Sequence, residues 1–257
     1  MIKIIDTHAH LNTKEFDDDL EQTILRAKQN DVTDMIVIGM DEYHNKKAIE
    51  IADEYPNIYA TIGVHPGYVD EATVEHIISL ISHHKVVAIG ECGIDLYWTK
   101  DNLELQKQVF IQQIELSIEH NLPLVIHTRN SFDEAYECLL PYKGKARGVF
   151  HCFSSHLQDA KKAIDLGFMI GVDGPITYKN AEDIREIVKT IDLSHILVET
   201  DSPYLSPTPN RGKRNEPANT KEVVKKIAEI KGITIEEVAQ ITYQNAQKLF
   251  QLGGFSK

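Results

Sequence analysis

Ile2-Lys3-Ile4-Ile5-Asp6-Thr7-His8-Ala9-His10 opens the chain, and its reading decides the fold. An apolar, β-branched run that passes straight into ionisable residues is the pattern of a buried strand ending at a site. No glycine-rich phosphate loop follows it, which counts against a dinucleotide-binding unit. Outward from this stretch, the pattern returns. Strands are expected near 2–6, 34–39, 58–63, 86–91, 124–127, 148–151, 168–172 and 196–199. Amphipathic stretches fall between and after them, at about 17–30, 43–54, 70–84, 101–120, 131–140, 156–166, 180–190, 217–230 and 234–250. In the clearest of these, Leu105, Val109, Ile111, Ile114 and Ile118 recur at mainly three- and four-residue spacings. Near-continuous apolar strands alternating with helices imply a parallel sheet covered on both faces. Such a sheet is either open and doubly wound or closed into a barrel. A length of 257 residues suits one α/β barrel of roughly 250 residues, a single domain over 1–257, better than two small domains.

Composition narrows the function classes. Hydrophobic residues are 42% and charged residues 26%, ordinary for a globular protein. Apolar runs such as 35–39 and 86–89 are strand-sized, far short of a membrane span. The first residues lack the basic start and long apolar stretch of a signal peptide. Cys92, Cys138 and Cys152 have no paired spacing, so reduced thiols and a cytoplasmic location are expected. The net charge of -12 argues against a general nucleic-acid binder with a basic surface. It leaves a nuclease open, because bound divalent cations can be the largest charges in such a site.

The chemistry gathers at strand ends. In extended backbone, alternate residues project to one side, so His8 and His10 point together, as two imidazoles must to grip one metal. Glu91 ends the expected fourth strand, His127 the fifth and His151 the sixth; His65 follows the third and Asp201 the eighth. Placing ionisable groups at the ends of apolar strands costs several kcal/mol unless something pairs with them, and a metal ion is one such partner. Barrel enzymes keep their sites at that rim. Six strands delivering such residues to one rim are hard to explain as separate core residues. His44, His76, His83, His84, His120, His156 and His195 fall in helices or at their ends and are read as solvated. Cys92 and Cys152 each follow a proposed ligand, so alternation turns them away as small core residues.

Taken in order, the motifs resemble the TatD family of metal-dependent deoxyribonucleases. They are Asp6-Thr7-His8-Ala9-His10-Leu11, Gly63-Val64-His65-Pro66, Gly90-Glu91-Cys92-Gly93-Ile94-Asp95, Val125-Ile126-His127-Thr128-Arg129, Phe150-His151-Cys152-Phe153 and Val198-Glu199-Thr200-Asp201-Ser202-Pro203-Tyr204-Leu205. Arg211-Gly212-Lys213, followed by Asn215-Glu216-Pro217, is similar too. The resemblance spans essentially the whole chain. It implies a TIM (β/α)₈ barrel of the metallo-dependent hydrolase superfamily. It also implies divalent metal ions, two per subunit (zinc, magnesium, manganese or nickel), and cleavage of DNA phosphodiester bonds, often from the 3′ end. Carried over by motif, the metal ligands are His8, His10, Glu91, His127, His151 and Asp201, with Glu91 bridging. Asp173, after Ile170-Gly171-Val172, stands where relatives tend to carry serine near the glycine, and bears on substrate contacts there.

Two-metal chemistry then suggests roles. The expected catalytic residues are Asp201, Glu91 and His65, with Asp201 placed to orient the attacking water or accept its proton. His65 and Arg129 are candidates to hold phosphate oxygens, and Arg211 and Lys213 supply donors for negative charge. The competing account of Arg211, Lys213 and Arg214 is a solvated basic turn. Tyr97 and Trp98 either stack a base or cap the barrel mouth. A hydrolase of a small ester, lactone or cyclic amide would use almost the same ligand set. A non-catalytic partner-binding protein would not need it. The expected partner is DNA or another phosphodiester, with no membrane.

Overall fold

The strands are β1 (Ile4–Ala9), β2 (Val32–Val37), β3 (Ile58–Ile62), β4 (Val86–Asp95), β5 (Leu124–Arg129), β6 (Gly148–Phe150), β7 (Phe168–Val172) and β8 (Ile196–Val198). They are seen in a computed structural model that describes residues 2–98 and 100–252. Each strand pairs in parallel with the next, in the order β1 to β8. The sheet closes on itself: Asp201 N–H donates to His8 C=O at 2.9 Å, and His10 N–H donates to Ser202 C=O at 2.8 Å. The fold is therefore a (β/α)₈ barrel, as the alternation of strands and helices implies.

The helices are α1 (Leu20–Gln29), α2 (Glu42–Glu54), α3 (Glu75–Leu80), α4 (Leu103–Glu119), α5 (Phe132–Leu139), α6 (Leu157–Asp165), α7 (Glu182–Thr190), α8 (Thr220–Lys231) and α9 (Ile235–Phe250). Local chemistry sets several ends. The Asp41 carboxylate accepts from the His44 N–H and starts α2. Gly232 ends α8 in the left-handed region, and Thr234 with Glu237 forms a capping box that starts α9 two residues on.

Two apolar layers result. Outward strand residues such as Ile4, Met35, Ile62, Ile126 and Ile170 pack with the helices. Ile5, Ile36, Ile38, Val87, Val125, Val149 and Leu197 fill the interior with Leu249, Phe250 and Leu252 from the end of α9 and just beyond. The α9 terminus therefore plugs the barrel.

Several boundaries differ from expectation. β1 runs to Ala9, so His8 lies inside the strand. Between Asp6 and Ala9, β1 spends three residues while β2 spends two, Met35 to Val37. Such a bulge re-aims side chains, and here it lets Ile5 join the inner layer while His8 and His10 both face the centre above it. β4 continues to Asp95, ten residues, with a similar irregularity between Ile89 and Cys92. Only Glu75–Leu80 of the expected 70–84 helix is α-helical. Gly90 adopts φ +154°, and a Cβ there would lie 2.6 Å from Val125 C=O, so the residue before Glu91 has to be glycine.

Candidate metal centre

Glu91 sits at the middle of the cluster and divides it. Its Oε2 faces His8 Nε2 at 3.5 Å and His10 Nε2 at 3.6 Å. Its Oε1 faces His151 Nε2 at 2.8 Å, His127 Nδ1 at 2.9 Å and His65 Nε2 at 3.6 Å. Asp201 Oδ1 closes the first half, 3.2 Å from His10 Nε2 and 3.5 Å from His8 Nε2. The two halves touch through the stacked rings of His8 and His151, with centroids 3.9 Å apart. All six positions expected as ligands are thus brought together at the C-terminal mouth.

Local structure explains each placement. His8 and His10 ride the β1 bulge, Glu91 follows Gly90 on β4, and His127 lies on β5. His151 follows β6, and Asp201 sits three residues beyond β8 with φ 55°. Asp95, four residues past Glu91 on the prolonged β4, holds His127 Nε2 at 3.0 Å and so turns Nδ1 inward. The motif containing Asp95 is visible in sequence, but a strand ending at 91 hides its reach.

The electrostatics suit a cation. Burial pushes His8 down to about 4, so its imidazole is neutral at neutral pH. Burial also opposes charge on His127, but its bonds to Asp95 and Glu91 outweigh that and raise it to about 9. Glu91 pays the same burial penalty, which His151 and His65 overcome, holding it well below the usual carboxylate range. Nε2 atoms of His8 and His10 face each other at 3.2 Å, while Nδ1 of His8, His10 and His151 are buried without hydrogen-bond partners, that of His151 lying 4.0 Å from Glu199 Oε1. Imidazoles and carboxylates that converge on two points, with His127 giving up its proton to a cation, form the donor set of divalent transition metals. The residues fit the group.

His65 behaves differently. Burial lowers it to about 3, and its Nδ1 accepts from Gly67 N–H at 3.0 Å. Its proton is therefore on Nε2, directed toward Glu91, which makes it a donor, as a phosphate-holding residue requires.

A cavity of about 690 Å³ opens over the cluster, lined among others by Trp98, Arg129, Cys152 and Tyr204. The Arg129 guanidinium stacks on Tyr97 at 4.0 Å and on Trp98 at 5.4 Å. Trp98 is 72% exposed, and with Tyr97 it forms an aromatic shelf at the rim. A smaller cavity of about 360 Å³ adjoins it, with Arg211, Tyr178 and Asp173 in its wall. There Arg211 stacks on Tyr178 at 3.9 Å.

The basic loop does not act as one patch. Lys213 is exposed and lines neither cavity. Arg214 is paired with Asp19 at 2.7 Å and covers the Phe16 ring, so it is an anchor and not part of a solvated turn. The cysteines split as well. Cys92 is buried, its thiol donating to Val125 C=O at 3.5 Å, as alternation implies. Cys152 corrects that reading: φ 44° breaks the alternation, and it lines both cavities. His44 and His76 are not simply solvated, since His44 contacts Asp41 at 2.8 Å and His76 contacts Asn45 at 2.7 Å. His83 and His84 gather about Asp53 on the surface. The described cysteines are all free, and among the described residues no helix is long and apolar enough to cross a membrane.

A closed (β/α)₈ barrel with this donor cluster at its C-terminal mouth defines the class of barrel metal-dependent hydrolases. A family model described as TatD related DNase matches residues 5–251, and the chain belongs to that family. It is 43% identical to the uncharacterized metal-dependent hydrolase YabD of Bacillus subtilis, over 97% of this chain and 99% of that one. It is 34% identical to the uncharacterized metal-dependent hydrolase YcfH of Escherichia coli, over 97% and 96%. The crystal structure of YjjV, a TatD homologue from Escherichia coli, superposes with a TM-score of 0.91 at 31% identity, covering 97% of this chain and 98% of that one.

Proposed function

We propose that this protein is a deoxyribonuclease that cleaves DNA phosphodiester bonds, releasing nucleotides from a 3′ end, with two divalent cations held on either side of Glu91. The observation that carries the reading is the division of the Glu91 carboxylate, Oε2 toward His8 and His10 and Oε1 toward His127 and His151. His8, His10 and Asp201 would hold one cation, His127 and His151 the other, with Glu91 between them. When bound, such cations lower the pKa of water toward neutrality and offset phosphate charge.

The chain's own groups supply the rest. Asp201 Oδ1 is the acceptor for the proton of the attacking water, kept ionised by His10 against its burial. Asp95 fixes the His127 ring through Nε2. His65 Nε2–H and the edge of the Arg129 guanidinium hold phosphate oxygens. Arg129 uses its face on Tyr97 and Trp98, which leaves its in-plane N–H groups available. The aromatic shelf stacks a base next to the scissile bond, a contact that tolerates any sequence.

The test is turnover on single-stranded DNA, duplex DNA, a minimal phosphodiester and a neutral cyclic amide, with magnesium, manganese, zinc or nickel and with chelator. Chelator-sensitive DNA cleavage that is lost in Glu91→Gln is expected. Turnover of the cyclic amide without any phosphodiester cleavage would overturn the nuclease reading.

A further inference from the structure

Beside the Asp201 half of the centre, Asp6, Asp173 and Glu199 are buried. Asp6 accepts from Thr200 Oγ1 at 2.6 Å and from Thr200 N–H at 3.0 Å. Glu199 accepts from Cys152 N–H at 2.6 Å and from Thr7 Oγ1 at 3.2 Å. Asp173 is the exception: it is 3% exposed, and its Oδ2 has no hydrogen-bond partner. Among the described residues, no lysine or arginine forms an ion pair with Asp173 or Asp201. An unmet, buried polar oxygen of this kind costs free energy until a partner is supplied.

Cys152 completes the corner. Its left-handed backbone turns it out of the barrel wall, and one ligand atom each from Cys152, Asp173 and Asp201 lie within 4.8 Å of one another. These three residues also border the cavities above, which gives an entry path: Cys152 and Asp201 line the larger and Cys152 and Asp173 the smaller. Sulfur with two carboxylate oxygens suits a borderline-soft divalent ion such as zinc, and poorly suits magnesium or calcium.

We propose that Cys152, Asp173 and Asp201 hold a further divalent cation, of the zinc class, next to the pair assigned to Glu91. The site rests on the reading of the mouth as a cation centre, because Asp201 serves both. On binding, the Cys152 thiol and the Asp173 carboxyl give their protons to solvent and ligate as thiolate and carboxylate.

The experiment uses the full chain, stripped by chelator and reconstituted with cobalt(II) as a spectroscopic substitute for zinc. Bound metal is counted, and the near-ultraviolet thiolate-to-cobalt charge-transfer band is recorded. The wild type is expected to show the band. Cys152→Ser should abolish it, and Asp173→Asn should abolish it with the loss of one cation per chain while the others stay. His8→Ala with His10→Ala should lower the count yet keep the band. A saturated wild type that binds cobalt without the band overturns the proposal, and so does an unchanged count in Asp173→Asn. Failure to bind any cation would instead defeat the reading of the whole mouth, and this site with it.

Discussion

Asp201 is the residue on which the most depends. Its carboxylate faces His8 and His10 at 3.5 and 3.2 Å, and its backbone N–H helps to close the barrel. Asp201→Asn preserves shape and the backbone bond but removes the charge. For DNA cleavage, kcat is expected to fall by about 10²-fold or more, the scale of a lost general base. Steady-state kinetics decides the matter, because a fall confined to KM would leave Asp201 a binding residue only. At this scale the histidines and Glu91 are legible because each interrupts or ends an apolar run, where an unpaired ionisable group is costly. Asp6, Asp95, Asp173 and Glu199 are harder to read. Each sits inside or beside a run that already explains itself as a strand, and their significance comes from neighbours distant in sequence. Burial pushes Asp173 up to about 8 and Asp6 up to about 7, which only the assembled site reveals.

At the scale of elements, the alternation of strands and helices is plain in the sequence, and its ends are less so. Apolar pattern does not mark a bulge, so the length of β4 and the re-aiming of β1 lie beyond it. The segment 201–217 shows the same limit. Three basic residues close together look like one patch, yet Arg211 joins Tyr178 while Arg214 binds α1 through Asp19. The hydrogen bond from Arg214, with help from Arg26, overcomes partial burial and holds the Asp19 carboxyl far below its usual range. A depressed carboxyl contributes stability above its unfolded pKa and loses it as pH falls through the folded one. Arg214→Ala is therefore expected to cost no more than about 1 kcal/mol at neutral pH, typical of exposed pairs. The deficit should vanish in acid once Asp19 is protonated in both proteins. Thermal melting across pH measures this, and a deficit that persists unchanged in acid would mean that packing on Phe16 dominates. Arg211→Ala, by contrast, should weaken DNA cleavage without lowering the melting temperature.

At the scale of the molecule, the barrel interior is filled from below by α9. Phe250 is 2% exposed among Ile5, Val125, Val149 and Leu197. Phe250→Ala is expected to destabilise the protein by about 3–5 kcal/mol, the usual cost of removing a buried aromatic ring. Urea denaturation would show it, and a loss below about 1 kcal/mol would mean that the interior does not depend on the plug. The closing of the sheet has a different consequence. The seam between the first and eighth strands runs through His8, His10 and Asp201 themselves. Chains emerge from the ribosome N-terminus first. A polypeptide interrupted anywhere before residue 201 carries the two histidines without their acidic partner and without the bonds that shut the cylinder. Incomplete translation products consequently lack the assembled donor cluster, which is completed in a single step, late in synthesis.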